Sequence, residues 1–317
     1  RRTSAGRLMA SDNGTTGGSS TTDVYNKARH WLLTPSWAIL GTFVLAPVCV
    51  MLIYSFLTKE FRGGVIWDFS LAAYDQFFFD RGLFGDSDPT LQWTYITIFW
   101  RSIWQAGLAT VLALLIGFPT AYYIATRPEN TRALWVFLIT IPYWVNLLIR
   151  TVSMKFLLRD EGPLNDLLMS TGLVDDPLRI INTNLAVQLG LFYSYLPFMV
   201  LPIYASVERY NFTMSEAAAD LYASKWNTLR RIVLPAVKPG VVAGCILVFV
   251  PSLGAFLAPD LLGGAKNFMI GSLIEEQFKG NAGNWPFGAA ASMILLTLVM
   301  TVLLILARPQ RSAGAKI

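Results

Sequence analysis

Six long apolar segments dominate this chain and leave it few ways to fold. A segment of about 20 mostly apolar residues is long enough to cross the hydrocarbon core of a bilayer as an α-helix. Inside lipid, a helix also satisfies its own backbone hydrogen bonds. The sequence therefore predicts an all-α, polytopic membrane protein. The six predicted spans lie near residues 36–57, 98–125, 133–157, 185–207, 240–262 and 287–307.

The balance of residue types supports this fold class. Of the 317 residues, 54% are hydrophobic and only 14% are charged, whereas soluble domains carry about 25% charged residues. We expect one transmembrane domain over residues 31–308 rather than two soluble domains. The polar stretch 1–30 lacks apolar periodicity and is predicted to be a disordered cytoplasmic tail. Residues 309–317 are predicted to form a second cytoplasmic tail.

The placement of positive charge sets the orientation. If the N-terminus is cytoplasmic, the segments on that side of the membrane hold most of the 25 Lys and Arg residues. Cytoplasmic loops of membrane proteins carry such an excess. Both termini are therefore predicted to be cytoplasmic. The polar insert at residues 208–236 then also lies in the cytoplasm, where ATP is available.

Several kinds of chemistry are missing from the sequence. Cys49 and Cys245 both lie in apolar segments, which favours small buried hydrophobes over a disulfide. The single histidine, His30, lies in the polar tail. No His, Cys and carboxylate cluster has metal-ligand spacing, and no glycine-rich phosphate loop is present. We expect this chain to bind no metal, cofactor or nucleic acid, and a membrane-embedded enzyme is the least favoured class.

The polar insert is much longer than the turn needed to cross back into the membrane. Thr213 and Glu216 fit a capping box, in which each side chain satisfies a free amide of the first helical turn. The alanines that follow favour a helix. A second helix is predicted after Ser224, and Pro235 is expected to limit its extension. Two short helices outside the bilayer indicate a surface for another protein.

The insert resembles the Glu-Ala-Ala loop of permease subunits of ATP-binding-cassette (ABC) importers. That pattern reads E-A-A-x3-G-x9-I-x-L-P, and this chain matches it at Glu216, Ala217, Ala218, Ile232, Leu234 and Pro235. Tyr222 stands where the family has glycine. Glycine there would permit a left-handed turn between the two helices, whereas tyrosine would incur a steric cost.

Five further stretches make the resemblance narrower. They look like the first of the two permease subunits of spermidine/putrescine importers, over roughly residues 36–307. The stretches are I-P-Y-W at 141–144, L-I-R at 148–150, L-P-F-M-V-L-P at 196–202, D-L-L-G-G-A-K-N at 260–267 and N-W-P-F-G at 284–288.

The resemblance also implies the other subunits of the transporter. It implies an inner-membrane complex of two permeases, two ATPase subunits that hold ATP and Mg²⁺, and an extracytoplasmic substrate-binding protein, with membrane lipid as a further partner of this chain. The insert would transmit the motion of the ATPases to the spans as a lever. The candidate coupling residues are Glu216, Ala217, Ala218, Asp220, Tyr222, Arg230, Arg231, Ile232, Leu234 and Pro235.

The predicted spans contain few residues that could bind a polyamine as it crosses the membrane. Such a cation would favour carboxylates and aromatic faces, but the middle of every predicted span lacks carboxylates, and Arg150 would repel a cation or pair with another group. Selectivity is therefore expected mainly in the binding protein or the second permease. The candidate path residues are Trp100, Trp104, Tyr143, Trp144, Arg150, Tyr193, Tyr195, Asp260 and Glu275.

Four further questions stay open at this point. The importer could carry another small organic solute, such as an opine, an amino acid or thiamine. The chain could instead be a carrier or channel that needs no ATPase. Gly240-x-x-x-Gly244 could contact the second permease or could pack within the chain, and the aromatic segment 58–97 could form an interfacial helix or a docking surface for an extracytoplasmic partner.

Overall fold

The computed structural model describes residues 18–60, 64–80, 90–279 and 283–311, and these residues are mostly helical. Two antiparallel pairs of two-residue strands accompany the helices, β1 (Thr58–Lys59) with β2 (Val65–Ile66) and β3 (Phe79–Asp80) with β4 (Thr90–Leu91). The helices are α1 (Gly18–Tyr54), α2 (Ala72–Phe78), α3 (Trp93–Ala125), α4 (Glu129–Thr140), α5 (Leu147–Leu157), α6 (Pro163–Ser170), α7 (Asn184–Glu208), α8 (Thr213–Asp220), α9 (Lys225–Thr228), α10 (Leu234–Leu253), α11 (Ile270–Phe278) and α12 (Trp285–Arg311).

The N-terminal part of the chain, Arg1–Ile53, forms a separate unit. Its helix α1 contains the first candidate span, Leu33–Tyr54. The helix already begins at Gly18, so residues 18–30 are helical and the expected disordered tail is wrong for them. Polar residues can extend an apolar helix beyond the bilayer, because the backbone bonds simply continue. Residues 1–17 and 312–317 of the two predicted tails lie outside the described residues.

Within the described residues, five helices are long and apolar enough to cross a membrane, and a sixth span exists if a bent pair is counted as one. The predicted span 133–157 is that pair. Its two parts, Glu129–Trp144 and Leu147–Leu157, meet at 90°. Val145 is extended, and the Asn146 side chain then caps α5 by accepting from the Leu148 amide at 2.8 Å. Because Asn146 caps the start of the second helix, the chain can turn sharply within this apolar segment.

The fifth span differs from its predicted limits of 240–262. A continuous helix runs from Lys225 to Leu253 and ends there, and a separate one-turn π-helix covers Pro259–Gly263. Gly271 of α11 packs closely against this turn. A Cβ at that position would lie 2.6 Å from the carbonyl oxygens of Gly254 and Ala255, so only glycine lets α11 approach this turn. The apolar run continues through the turn and hides it in the sequence.

Helices α3, α7 and α10 form the centre of the second unit, Tyr54–Ile317. Small residues allow their close approach. A Cβ on Gly240 would lie 2.6 Å from the Pro202 carbonyl oxygen, and one on Gly244 would lie 2.8 Å from the Met199 sulfur. The glycine pair therefore packs within the chain, against α7, as in other small-residue helix contacts.

The aromatic segment before α3 is folded onto the spans rather than free. Phe77 of α2 is buried against Tyr95, Phe99 and Phe287, with ring centroids 6.0–6.3 Å apart. Aromatic pairs at these separations add to the area they bury. Part of the predicted interfacial helix thus belongs to the core at one end of the bundle. Trp67 and Phe69 of the same segment stay exposed.

Candidate functional site

The insert begins with a helix whose start differs from the predicted capping box. Thr213 is the first residue of α8, Phe212 occupies the cap position, and no side chain caps the helix there. Asn211 serves instead, because its Oδ1 accepts from the Thr213 amide at 3.1 Å. Asparagine commonly forms this bond to the amide two residues later. The predicted Thr213–Glu216 box is therefore wrong, while the helix itself is confirmed.

The second arm of the insert is continuous with a membrane span. Ser224 caps α9 by accepting from the Asn227 amide at 3.3 Å. The helix then passes through a π-turn at Leu229–Val233 and becomes α10, and the Leu234 amide bonds to the Leu229 carbonyl. Pro235 therefore does not end the helix as predicted. The π-turn rearranges the backbone bonds just where proline supplies no amide.

The length of this continuous helix shows that its start projects from the bilayer. It has 29 residues from Lys225 to Leu253, which corresponds to about 43 Å at 1.5 Å per residue. The hydrocarbon core is about 30 Å thick. The excess lies at the polar end, where Lys225, Arg230 and Arg231 are exposed. A push on α9 is therefore a push on the fifth span itself.

The turn between the two arms is left-handed. Tyr222 has φ +58°, in the region that glycine adopts without strain, and this conformation costs a residue with a Cβ about 1–2 kcal/mol. The turn therefore keeps the family's left-handed shape without the family's glycine. The Tyr222 side chain is 98% exposed, and that of Leu221 is 82% exposed.

The base of the insert is braced against the other spans. The Phe212 ring lies 6.3 Å from that of Tyr122 on α3, and the Tyr210 hydroxyl lies 2.8 Å from the Ser215 hydroxyl at the start of α8. Glu208, at the end of α7, accepts from the Tyr204 hydroxyl at 2.7 Å and pairs with an Arg132 nitrogen at 3.9 Å. The insert thus contacts α3 through aromatic rings and α10 through backbone continuity.

The predicted coupling residues fall into two groups by burial. Ala218 of α8 is itself buried, and Ile232 is half-buried against the apolar core that α3, α7 and α10 form. The others lie at the surface and are free to meet a partner protein. These exposed residues are Glu216, Ala217, Asp220, Tyr222, Arg230, Arg231, Leu234 and Pro235.

At the break in the third span, Arg150 occupies the aromatic face that a cation would need. It is 6% exposed, its guanidinium carbon lies 4.4 Å from the Tyr143 ring centroid, and its Nη2 donates to the Val145 carbonyl at 2.9 Å. Arg150 therefore pairs within the chain, as one of the two sequence alternatives predicted. One face of Tyr143 is then unavailable to a substrate cation.

The remaining path candidates do not form one site. Four of them are exposed on the outside of this chain, namely Trp100, Trp104, Trp144 and Tyr193. Tyr195 turns inward, where its hydroxyl donates to the Pro251 carbonyl at 3.3 Å. With Ser194 and Thr151 it lines a small cavity of about 110 Å³. These candidates therefore do not line one cavity among the described residues of this chain, and their role in a substrate path stays a prediction.

The two acidic candidates lie beyond the spans. Asp260 is exposed in the short π-helix, and Glu275 of α11 pairs with Lys279 at 2.7 Å. The Glu275 hydrogen bond raises the pKa of Lys279, and the negative charges of Glu275, Asp260 and Glu276 act in the same direction. These carboxylates therefore lie near one another at the same end of the bundle. Within the described residues, no group of three or more His, Cys, Asp or Glu could hold a metal ion.

The sequence did not predict a group of hydrogen bonds, here called the latch, that joins the turn at residues 263–267 to Asn182. Asn267 donates from its Nδ2 to the carbonyls of Asn182 at 3.0 Å and of Gly263 at 2.7 Å. Gly264 has φ +62°, and a Cβ there would lie 2.8 Å from Asn182 Oδ1. Arg101 donates to the Lys266 carbonyl. The signal in the sequence was Arg101 itself, a charge within an apolar run that required a partner.

Comparison with known proteins identifies close relatives along most of the chain. The spermidine/putrescine transport system permease protein PotB of Salmonella typhimurium (strain SL1344) is 40% identical over 281 residues, which cover 89% of this chain and 92% of that protein. PotB of Escherichia coli (strain K12) is 39% identical over 281 residues, which cover 89% and 96% respectively. No family model matches the chain.

Solved structures show the same fold. A chain of a bacterial ABC transporter involved in the import of the acidic polysaccharide alginate matches with a TM-score of 0.65 at 16% identity, covering 91% of this chain and 98% of that one. The alginate transporter in complex with an alginate pentasaccharide-bound periplasmic protein matches with a TM-score of 0.62 at 17% identity, covering 92% and 98%. At such identities the likeness concerns the fold alone, and it confirms the predicted type I importer permease fold. The PotB relatives add the family, and the chain belongs to the PotB family of ABC importer permeases, membrane subunits that are not themselves enzymes.

Proposed function

We propose that this chain is the permease through which an ATP-driven importer passes spermidine or putrescine across the inner membrane. The observation that carries the proposal is 40% identity over 89% of the chain to a PotB permease that is named for these two polyamines. The latch at Asn267 and Gly264 adds to it. It gives a physical reason for the D-L-L-G-G-A-K-N stretch that resembles this branch of permeases.

The complex that we propose contains a second permease, two ATPase subunits and an extracytoplasmic binding protein. An alginate transporter of the same fold was solved with a periplasmic protein bound, which supports the last of these. The exposed Trp100, Trp104 and Trp144 support a second permease and surrounding lipid, because large apolar side chains on a membrane subunit need an apolar neighbour. ATP and Mg²⁺ would be held by the ATPase subunits, and both termini would lie in the cytoplasm.

The proposed coupling runs through the insert. Closure of the ATPase pair pushes on α8 and α9, and α9 is one helix with the fifth span as far as Leu253. Gly240 and Gly244 allow this span to pack closely against α7, so a push on α10 would also move α7. A ligand-driven shift of this kind requires contacts that differ between two states. Glu216 and Arg230 would make such contacts with an ATPase, and their exposure supports this role.

The substrate route would involve more than this chain. Arg150 lies on one face of Tyr143, and most of the other candidate aromatic residues face outward. We propose that the cation passes between the two permeases, and that selection rests mainly with the binding protein or the second permease. Asp260, Glu275 and Glu276 would raise the local concentration of a polycation at the outer mouth.

The test is uptake by the whole complex in proteoliposomes. Labelled spermidine should enter only when ATP, the ATPases and the loaded binding protein are present. Robust uptake of another solute without spermidine uptake would refute the polyamine assignment. Uptake without the ATPases would favour the carrier or channel alternative.

Two charge reversals test the coupling site. Glu216→Lys should abolish ATPase co-purification and uptake. Asp175→Lys, at an exposed position in the loop between α6 and α7, is the matched control and should leave both unchanged. Retention of both by the Glu216 variant would count against the coupling role of the insert.

A further inference from the structure

Tyr222 combines two features that are unfavourable for a single residue in an isolated chain. Its backbone is in the left-handed region at φ +58°, where a Cβ is crowded. Its side chain is 98% exposed, so the ring gains almost nothing from packing on the rest of this protein. The turn itself closes the end of α8, because the Tyr222 amide donates to the Ala219 carbonyl at 2.9 Å and the Ala223 amide donates to the Ala218 carbonyl at 3.0 Å. Glycine is the usual residue in such a helix ending, so the turn alone does not explain the exposed ring.

Lipid cannot compensate for this exposure. Tyr222 precedes Lys225, and the helix that starts there needs its first turns outside the hydrocarbon core. Those turns carry Arg230 and Arg231, which are exposed at the same polar end. The ring therefore projects beyond the membrane surface, where only water or another protein can surround it.

The surroundings of Tyr222 have the composition of a protein-binding surface. Leu221 is also exposed, at 82%, and the two apolar side chains lie between the charged Asp220 and Lys225 in the sequence. Interfaces typically have an apolar or aromatic centre within a polar rim, and tyrosine is one of the residues that most often supplies the binding energy. The turn is also braced through α8 and α9, which reduces the entropy lost on binding.

We propose that the Tyr222 ring inserts into an apolar pocket of the importer's ATPase subunit and that it selects an ATPase with room for that ring. The proposal rests on the proposed function, which puts the insert against the ATPase. The family pattern has glycine at this position, so the pocket would be a special feature of this chain's own partner. The left-handed backbone aims the ring outward, and the charged rim on either side fixes its register.

Three substitutions separate the effect of the Tyr222 ring on ATPase binding from the effect of its backbone strain. Tyr222→Phe keeps the ring and the strain, Tyr222→Ala keeps the strain without the ring, and Tyr222→Gly removes both. The permease complex is purified in nanodiscs, and binding of its own ATPase is measured directly. Binding should stay within about twofold for the Phe variant and fall about tenfold or more for the Ala and Gly variants, as for the loss of an interface anchor.

A stability measurement distinguishes this role from a structural one. The thermal midpoint of the permease without its ATPase should rise for Tyr222→Gly, because the strain is relieved, and should not rise for Tyr222→Ala. A more stable variant that binds its ATPase more weakly cannot be explained by misfolding. ATPase affinity within about twofold of the parent for both the Ala and the Gly variants would overturn the proposal, since anchor residues cost more than that.

The Glu216→Lys variant separates failure of this inference from failure of the proposed function. If Glu216→Lys abolishes ATPase binding while Tyr222→Ala does not, the insert is the coupling site and only the role of Tyr222 is wrong. If neither substitution affects ATPase binding, the coupling role of the insert fails, and the inference fails with it.

Discussion

Helical continuity between α9 and the fifth span leads to a sharp prediction about coupling. The only backbone link from the start of the insert's second arm to the span runs through Asn227, Thr228 and the π-turn that follows. If the link works as a rigid lever, weakening its helix should uncouple ATP hydrolysis from transport. The perturbation is the double substitution Asn227→Gly and Thr228→Gly.

The size of the effect follows from helix propensity. Each glycine costs about 1 kcal/mol relative to alanine in a helix interior, or about 2 kcal/mol for the pair. Relative to the double alanine variant, that energy multiplies the population with a broken link by about 30, since 1.4 kcal/mol corresponds to a factor of ten. A link that is broken about 1% of the time in the alanine variant would be broken about a fifth of the time in the glycine variant. Transport per ATP should fall, whereas ATPase binding should persist because the exposed contact residues are unchanged.

The assay measures ATP hydrolysis and spermidine uptake in the same proteoliposomes. The matched control is Asn227→Ala with Thr228→Ala, which removes the same side chains and strengthens the helix. The alanine variant should keep the uptake-to-hydrolysis ratio of the parent, and the glycine variant should lower it. An equal ratio for the two variants would refute the rigid-lever mechanism.

Three further expectations concern packing and capping. Gly240→Ala should destabilise the protein by about 1–3 kcal/mol, because the new Cβ would lie 2.6 Å from the Pro202 carbonyl oxygen. Gly107→Ala meets nothing within 4 Å and should not lower stability in the same thermal melts, because alanine favours the helix more than glycine does. Arg150→Met should lower stability by about 1–3 kcal/mol by leaving the Val145 carbonyl without its donor; thermal melts identical to those of Lys155→Met, at an exposed position, would contradict this. Ser224→Ala should cost about 1 kcal/mol of helix stability at α9, seen as faster amide exchange at Asn227, and unchanged exchange would show that the cap contributes little.

The spans were predictable because length and hydropathy determine them almost alone. Because hydropathy is averaged over many residues, the same approach does not detect two breaks in the helices. At Val145–Asn146 the chain bends by 90° within an apolar run, and only a capping asparagine marks the position. At Gly254 the helix ends although the next residues stay apolar, because glycine at position 271 allows another segment to approach. Contacts between distant residues decide both breaks, and a window along the sequence cannot see them.

The candidate site likewise has one part that the sequence predicted and another part that it did not. The insert was predicted because its motif is local, and even the left-handed turn at Tyr222 could be anticipated from the position where the pattern has glycine. The Asn211 cap and the passage of the helix through Pro235 could not, because several local solutions compete there. The candidate path residues stay a prediction, and their positions could not be foreseen for another reason. Residue type says nothing about which way a ring faces on a helix, and Trp104 faces outward.

Tyr222 and Arg150 are both energetically unfavourable where they lie, but for different reasons. The difference indicates which of the two has a role in the interface with a partner. Arg150 is a buried charge that the Tyr143 ring and the Val145 carbonyl stabilise within the chain, although its Nε has no hydrogen-bond partner among the described residues. At Tyr222 the left-handed turn closes the end of α8 through hydrogen bonds from the Tyr222 and Ala223 amides, but the ring itself is left 98% exposed. Sequences usually agree with their structure at every level except where function demands otherwise. By that reasoning the break at Arg150 belongs to the architecture of the span, whereas the turn at Tyr222 belongs to the interface that drives it.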